Sequence, residues 1–238
     1  MECSQRGERG SPETLRLIDC RLCPRLVEWR ERVGREKRAA FRDEGYWARP
    51  VPAFGDPRAE LIIVGLAPAA HGGNRTGRIF TGDRSGDWLF RALFNTGFAN
   101  QPTSVDRNDG LELSNCLITA IVRCAPPANR PTAVEIQTCQ RWLLPDLSID
   151  PKVIVALGGM AFGQIKHVAP TLGWGSVRQK FGHGVAVKLE PGPWLLASYH
   201  PSQQNTFTGR LTQEMLDGIF IRARELLTEG GTGETSKV

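Results

Sequence analysis

The chain has 238 residues, of which 40% are hydrophobic and 23% charged, a composition typical of a globular protein with a buried core. No apolar run reaches the ~18 residues of a membrane span, and the N-terminus lacks the apolar segment of a signal peptide, so we predict a soluble, unexported protein. The net charge of +5 and the pI near 9.1 are consistent with a polyanionic partner but do not identify one.

The first predicted element is a helical arm at about 12–38, which follows a segment (1–11) predicted to be disordered. Nine basic residues lie between positions 21 and 49 and outnumber the acidic ones, and Tyr46 and Trp47 lie among them. This pattern fits a surface that faces nucleic acid and fits a solvated helix face equally well.

Short apolar runs along the rest of the chain predict buried strands, and helical patterns lie between them. The predicted strands are Glu60–Val64, Leu117–Val122, Val153–Leu157 and Trp194–Tyr199, with Val185–Leu189 as an additional antiparallel strand. The predicted helices are Asp87–Phe94, Thr132–Leu144, Ala161–Val168 and, roughly, Thr212–Leu227. Strands that alternate with helices are typical of a parallel sheet covered on both faces. The prediction is an α/β fold, a three-layer α/β/α sandwich with a central, mostly parallel four-stranded sheet, in one domain over 12–228 before a disordered tail (229–238).

The segments with the most unusual composition each follow a predicted strand. They are GLAPAAHGGNRTGRIFTGD (65–83), RCAPPANRP (123–131), LGGM (157–160) and YHPSQQNT (199–206). Because the carboxyl ends of parallel strands meet at one edge of a sheet, we expect these loops to form one ligand site. The first loop is glycine-rich but contains neither GxGxxG nor GxxxxGK[ST], so the two standard nucleotide-binding mechanisms do not apply.

Six cysteines in a chain without an export signal argue against disulfides and favour a metal site or reactive thiols. Cys20 and Cys23 form a CxxC on the arm, Cys124 opens the loop after the second strand, and Cys139 lies on the next helix. Four thiolates suit a [4Fe–4S] cluster or tetrahedral zinc, and their spacing does not decide between the two. The alternative is that the second pair are small buried residues. Cys116 lies at the start of the second predicted strand and is expected in the core. Cys3 lies in the segment predicted to be disordered and is expected to be free.

Five ordered motifs cover the chain from about Cys20 to Thr212: CRLCPRLVEWR, YWARPVPAFGDP, GLAPAAHGGNRTGRIFTGD, RCAPPANRPT and SYHPSQQNT. Together they resemble the uracil-DNA glycosylase superfamily, specifically its iron–sulfur B-type (family 5) enzymes. The resemblance implies a monofunctional, monomeric, nucleoid-associated enzyme of the cytoplasm. Its substrate would be double- or single-stranded DNA, in which it hydrolyses the N-glycosidic bond of a damaged base and leaves an abasic site. It also implies a structural [4Fe–4S] cluster on four residues: Cys20, Cys23, Cys124 and Cys139.

The resemblance further implies roles in flipping a base out of the duplex and breaking its bond to the sugar. Phe80 matches the aromatic residue that stacks on the base, and His200 matches a donor to the base. Asp83 is expected to orient water or to stabilise the cationic sugar, with Asn129 acting beside it. Asp83 also precedes a predicted helix and could cap it instead.

The remaining predicted contacts lie around these residues. His71 is expected near the sugar or the water. Backbone groups are expected to shape the base pocket at Gly65, Ala67 and Pro68. DNA contacts are predicted from Ser202, Gln203, Asn205, Arg75 and Arg78, although the two arginines fit internal ion pairs as well as phosphate contacts.

One position departs from the related A-type (family 4) enzymes, which have an asparagine at an ITN-like strand end that reads the uracil edge. Here that strand end is Ile118-Thr119-Ala120-Ile121, and Ala120 cannot make the amide contact. The change predicts a more permissive pocket that also admits hypoxanthine and other deaminated or adducted bases. Two alternatives on the same scaffold are a non-catalytic iron–sulfur protein that binds DNA damage and a relative that cross-links to the abasic sugar.

Overall fold

The structure is a computed structural model that describes residues 16–229 of the chain. It confirms the predicted α/β class, with helices packed around one mostly parallel sheet. The strands are β1 (Phe54–Gly55), β2 (Leu61–Gly65), β3 (Cys116–Ala120), β4 (Val153–Leu157), β5 (Ala186–Lys188) and β6 (Trp194–Ser198).

The sheet has six strands in the order β1-β3-β2-β4-β6-β5, whereas the predicted central sheet had four. The four central strands are parallel, and both edge strands are antiparallel to their neighbours. The predicted antiparallel segment Val185–Leu189 contains β5. β1 was not predicted, because its two residues pair with β3 but form no apolar run of their own.

Seven α-helices lie wholly within residues 16–229. They are α1 (Pro24–Glu36), α2 (Gly73–Thr76), α3 (Arg84–Asn95), α4 (Ala133–Leu147), α5 (Gly159–Val168), α6 (Gln203–Phe207) and α7 (Gln213–Glu229). α4 begins at a capping box formed by Thr132 and Glu135, and it continues through Pro145, where the prediction had ended it. The short helices α2 and α6 lie inside segments predicted only as loops.

Alternate residues of β2 belong to two separate hydrophobic clusters, which shows that both faces of the sheet are covered. Leu61 and Ile63 pack in a cluster with α3 and α7, while Ile62 and Val64 pack in a cluster with α1, α4 and α5. Burial on both faces explains why the central strands read as continuous apolar runs and do not alternate with polar residues.

The segments predicted to be disordered, 1–11 and 229–238, lie outside the described residues except for Glu229, which ends α7. Cys3 also lies outside them. Among residues 16–229, no helix has the length and apolar content needed to cross a bilayer.

Candidate active site

A cleft of about 960 Å³ opens at the carboxyl edge of the sheet. All four of the loops that follow the central parallel strands contribute to its lining, as the position of those loops predicted. Four of the predicted functional side chains meet there: Phe80, Asp83, Asn129 and His200.

Phe80 is held in the cleft wall by its backbone and by two glycines. Its φ of 53° lies in the left-handed region, which a non-glycine residue adopts only when its surroundings enforce it. A Cβ on Gly65 would lie 2.8 Å from the Phe80 ring, and a Cβ on Gly86 would collide with the Phe80 carbonyl oxygen. Gly65 therefore leaves room for the aromatic ring, and Gly86 leaves room for the backbone of Phe80.

His200 faces Phe80 across the cleft, with 5.8 Å between the ring centroids. Its carbonyl oxygen accepts hydrogen bonds from Asn205 Nδ2 and from the Ser202 amide, both at 2.8 Å. Burial lowers the pKa of His200 to about 4. The imidazole is therefore neutral at pH 7, and a neutral imidazole still has one N–H to donate.

Asp83 caps helix α3 and also lines the cleft. Its Oδ1 accepts a 3.0 Å hydrogen bond from the Gly86 amide, while its Oδ2 lies against Gly72, where any side chain would collide with it. Burial raises the pKa of the Asp83 carboxyl, and hydrogen bonds from the backbone oppose that rise. The capping interaction uses one oxygen, so capping and a chemical role are compatible.

Asn129 lies at the mouth of the cleft, at the end of the short turn Pro127–Asn129. Both Ala128 and Asn129 have positive φ, 52° and 55°. These two consecutive left-handed residues direct the exposed Asn129 side chain toward the cleft rather than along the loop.

His71 is not among the residues that line the cleft, and its predicted place near the sugar stays a prediction. Its Nδ1 is hydrogen-bonded to the Tyr46 hydroxyl at 2.9 Å, and its carbonyl oxygen accepts from Arg75 Nε at 2.8 Å. Of the residues predicted to shape the base pocket, Ala67 lines the cleft, whereas Gly65 and Pro68 are not among the lining residues.

The predicted DNA contacts divide into two groups. Ser202, Gln203 and Asn205 line the cleft on and beside α6. Arg75 instead pairs with Glu44 and packs on the Phe41 ring.

Arg78 is 4% exposed, which removes it from any phosphate. It pairs with Asp109 at 2.6 Å and donates to Ser104 at 2.7 Å. Both arginines therefore make the internal ion pairs that were the alternative to phosphate contacts in the sequence.

Several residues of the cleft were not predicted individually. Aromatic rings of Phe181 and Tyr199 form part of the wall, and the exposed side chain of Met160 lies at the rim. Arg84 adds positive charge to the lining, as does Arg210, for which the sequence had suggested a phosphate contact or a solvated helix start equally. Helix starts and charged positions give a weak signal in sequence, because the same residues also occur on ordinary solvated surfaces.

Ala120 is buried at the carboxyl end of β3, where it pairs with Gly65 of β2. It is not among the residues that line the cleft. Its methyl group adds no hydrogen-bonding group to this end of the sheet.

The four cysteines of the predicted metal site line a second, small pocket of about 20 Å³ between α1, α4 and the loop after β3. Arg25 of α1 ties these elements together, because its guanidinium bonds both oxygens of Glu135 on α4 at 2.8 and 2.6 Å. The convergence of Cys20, Cys23, Cys124 and Cys139 from three parts of the chain is the arrangement that a four-thiolate site needs.

The surroundings of this pocket are mostly apolar, but they include two buried arginines, Arg30 and Arg123. Arg30 Nη1 donates to Cys124 Sγ at 3.0 Å, and the Arg123 amide donates to Cys139 Sγ at 3.3 Å. Burial raises the pKa of Cys124 to about 11 and that of Cys139 to about 12. Within residues 16–229, no three Cys, His, Asp or Glu side chains are arranged to hold a single metal ion.

Residues 52–223 match the model of the "Uracil DNA glycosylase superfamily". The chain is 55% identical to a type-5 uracil-DNA glycosylase of Mycobacterium tuberculosis, over 87% of this chain and 78% of the relative. It is 50% identical to the type-5 enzyme of Thermus thermophilus, over 88% and 94% of the two chains. It is 37% identical to a type-4 enzyme of Sulfurisphaera tokodaii, over 74% of each.

Proposed function

Because the chain belongs to the uracil DNA glycosylase superfamily, we propose that it is a monofunctional DNA N-glycosylase that removes uracil from DNA and leaves an abasic site. The observation that carries the proposal is the cleft at the carboxyl edge of the sheet. It combines a fixed aromatic ring, a neutral imidazole and a partly buried carboxyl with polar groups on its rim.

The base must leave the duplex to reach this cleft, at a cost of a few kcal/mol in stacking and pairing. Phe80 offers the flipped base a ring face, and its enforced backbone conformation keeps that face in place without reorganisation. His200, 5.8 Å away between ring centroids, can donate its N–H to a base oxygen. This donor stabilises the negative charge that develops on the base as the bond to the sugar breaks.

Hydrolysis adds the hydroxide of a water molecule to the sugar carbon and a proton to the departing base. We assign Asp83 to this water or to the cationic sugar, because its Oδ2 is not used in capping α3. Asn129, which lines the same cleft, is assigned to orient the water beside it. Both assignments require the carboxylate form of Asp83.

Ser202, Gln203 and Asn205 are assigned to the DNA strand around the flipped nucleotide, where hydroxyl and amide groups contact phosphate without reading sequence. The substrates we propose are double- and single-stranded DNA, bound by a monomer at the nucleoid in the cytoplasm. Because Ala120 provides no amide for the uracil edge, we also propose removal of hypoxanthine and other deaminated or adducted bases.

We further propose that Cys20, Cys23, Cys124 and Cys139 hold a [4Fe–4S] cluster. Two observations support the fit: all four side chains line one pocket, and a buried guanidinium donates to one of the sulfurs. Such a group, when bound, supplies binding free energy that acts as folding free energy. In this chain it would join α1 to α4 and to the loop that carries Asn129.

The test is excision from duplexes that contain uracil, hypoxanthine or ethenocytosine, followed by alkali to cut abasic sites. Wild type should cut the uracil duplex, and Asp83→Ala and Asn129→Ala should be slower by about 10²-fold or more. Asp87→Ala and Asn108→Ala, which replace exposed residues of the same types, should retain wild-type rates.

Two outcomes would contradict the proposal. Absence of cleavage on all three duplexes would favour the non-catalytic damage-binding protein. A DNA-linked protein band that survives a denaturing gel would favour the cross-linking relative.

A further inference from the structure

Arg30 is the largest fully buried side chain of the described residues, with 1% of its surface exposed. The ion pairs found among residues 16–229 do not include it. A buried charge without compensation costs several kcal/mol, so a guanidinium in this position needs a negative partner.

The contacts of the guanidinium all point to the cysteine pocket. Nη1 donates to Cys124 Sγ at 3.0 Å and Nη2 donates to the Cys20 carbonyl oxygen at 3.1 Å, while Nε has no partner in the described structure. Cys20 and Cys124 come from two of the three parts of the chain that the proposed cluster would join. A neutral thiol is a weak acceptor, whereas a thiolate bound to iron retains negative charge.

The position of Arg30 is also fixed from the other side of its helix. Its carbonyl oxygen accepts a 3.2 Å hydrogen bond from the fully buried Asn74, which lies in α2 within the glycine-rich loop. The residue therefore connects the cysteine pocket to the loop that carries Phe80 and Asp83.

We infer that Arg30 is the charge-compensating and positioning residue of the cysteine site, holding Cys20 and Cys124 in place and balancing the thiolate charge. The inference rests on the proposed iron–sulfur site. Hydrogen bonds to the ligating sulfurs and the local net charge are the means by which a protein tunes such a cluster. Arg30 acts on the ligands and does not touch the substrate.

The experiment compares purified Arg30→Met, Arg30→Lys and Arg78→Met with wild type. Arg78→Met is the matched control, because Arg78 is also buried but pairs with Asp109 away from the cysteines. For each protein we would measure iron and sulfide per chain, and then the rate at which ferricyanide and a chelator bleach the visible absorption. Arg30→Met should bleach about 10-fold faster than wild type, and Arg78→Met should bleach at the wild-type rate.

Arg30→Lys keeps the positive charge but loses the two guanidinium nitrogens that donate in different directions. Its bleaching rate should therefore fall between the wild-type and Arg30→Met rates. If Arg30→Met does not fold, the comparison of Arg30→Lys with wild type tests the inference by itself. Wild-type bleaching by either Arg30 variant overturns the inference, and so does equal acceleration by Arg30→Met and Arg78→Met. An iron-free wild type that still excises uracil would overturn this inference and leave the proposed activity intact.

Discussion

The cleft and the cysteine pocket lie at two ends of one loop but differ in size and in the polarity of their lining. The cleft is about 960 Å³ in volume, and the polar side chains of Asp83, Asn129 and His200 are part of its lining. The cysteine pocket is about 20 Å³, and its lining is apolar apart from arginine and threonine side chains and the thiols. Cys124 faces the pocket and Asn129, five residues later, faces the cleft. The contrast indicates that the same loop is anchored at one end so that its other end can be positioned.

The largest effect should come from breaking the anchored end. Cys23→Ala should abolish iron binding, remove stability on the order of several kcal/mol, and lower excision as well. Cys23 is only partly buried, so its own packing contributes little. The measurements are iron per chain, urea unfolding and uracil excision.

Cys116→Ala is the control for that variant, since Cys116 is fully buried in β3 outside the pocket. It should lose more packing but keep its iron. If Cys116→Ala lost iron to the same extent, the four-cysteine assignment would be wrong.

Asp83→Asn should separate the role of Asp83 in excision from its role as the cap of helix α3. Asparagine caps a helix about as well as aspartate, so the free energy of unfolding should be unchanged, whereas Asp83→Ala should lose about 1 kcal/mol. Single-turnover excision should fall about 10²-fold or more in both variants. An Asp83→Asn protein with the wild-type rate of excision would show that Asp83 acts only as a helix cap.

Gly65→Ala should narrow the cleft from behind, because the new methyl group would lie 2.8 Å from the Phe80 ring. Overpacking of this kind costs about 1–3 kcal/mol, and displacement of the ring should lower kcat/KM by about 10-fold. Gly163→Ala is the control, since a Cβ there meets nothing within 4 Å. Equal kinetics for the two variants would show that Phe80 does not depend on Gly65.

The last comparison is the pH dependence of stability that the cleft imposes through His200. Its pKa of about 4 in the folded protein is below the ordinary value of 6.5. Between these values the unfolded chain binds a proton that the folded protein does not, so this contribution to stability is complete above pH 6.5 and is lost as the pH falls toward 4.

His200→Gln should therefore lose less stability than wild type between pH 7.5 and pH 4.5 in urea unfolding. His167→Gln, at an exposed position, should follow wild type. If His200→Gln lost as much stability as wild type, His200 would not be neutral by burial.

Much of the fold was predictable because its signals are local. Val153–Leu157 was predicted with the bounds that β4 has, since an isolated apolar run between turn residues has no competing interpretation. β1 was missed because its two residues become a strand only through pairing with β3. Helix α4 was predicted too short because Pro145 usually ends a helix, yet the last turn tolerates it here.

The candidate site was predictable to the level of its loops, but only partly to the level of its side chains. Phe80, Asp83, Asn129 and His200 do meet in the cleft, and their roles stay predictions until tested. His71 follows the same strand as Phe80 but bonds to Tyr46 of the N-terminal region. A contact between segments that are distant in the chain cannot be predicted from the sequence near either residue.

The sequence by itself determined the order of strands and helices, and therefore the edge of the sheet at which the polar loops meet. Only the tertiary structure decided what the arginines do: Arg84 lines the cleft, Arg78 pairs with a buried aspartate, and Arg30 lies against a cysteine sulfur. The physical reason is that apolar periodicity is set by neighbours in the chain. The environment of a charged side chain is instead set by the groups, distant in the chain, that replace water around it in the folded protein.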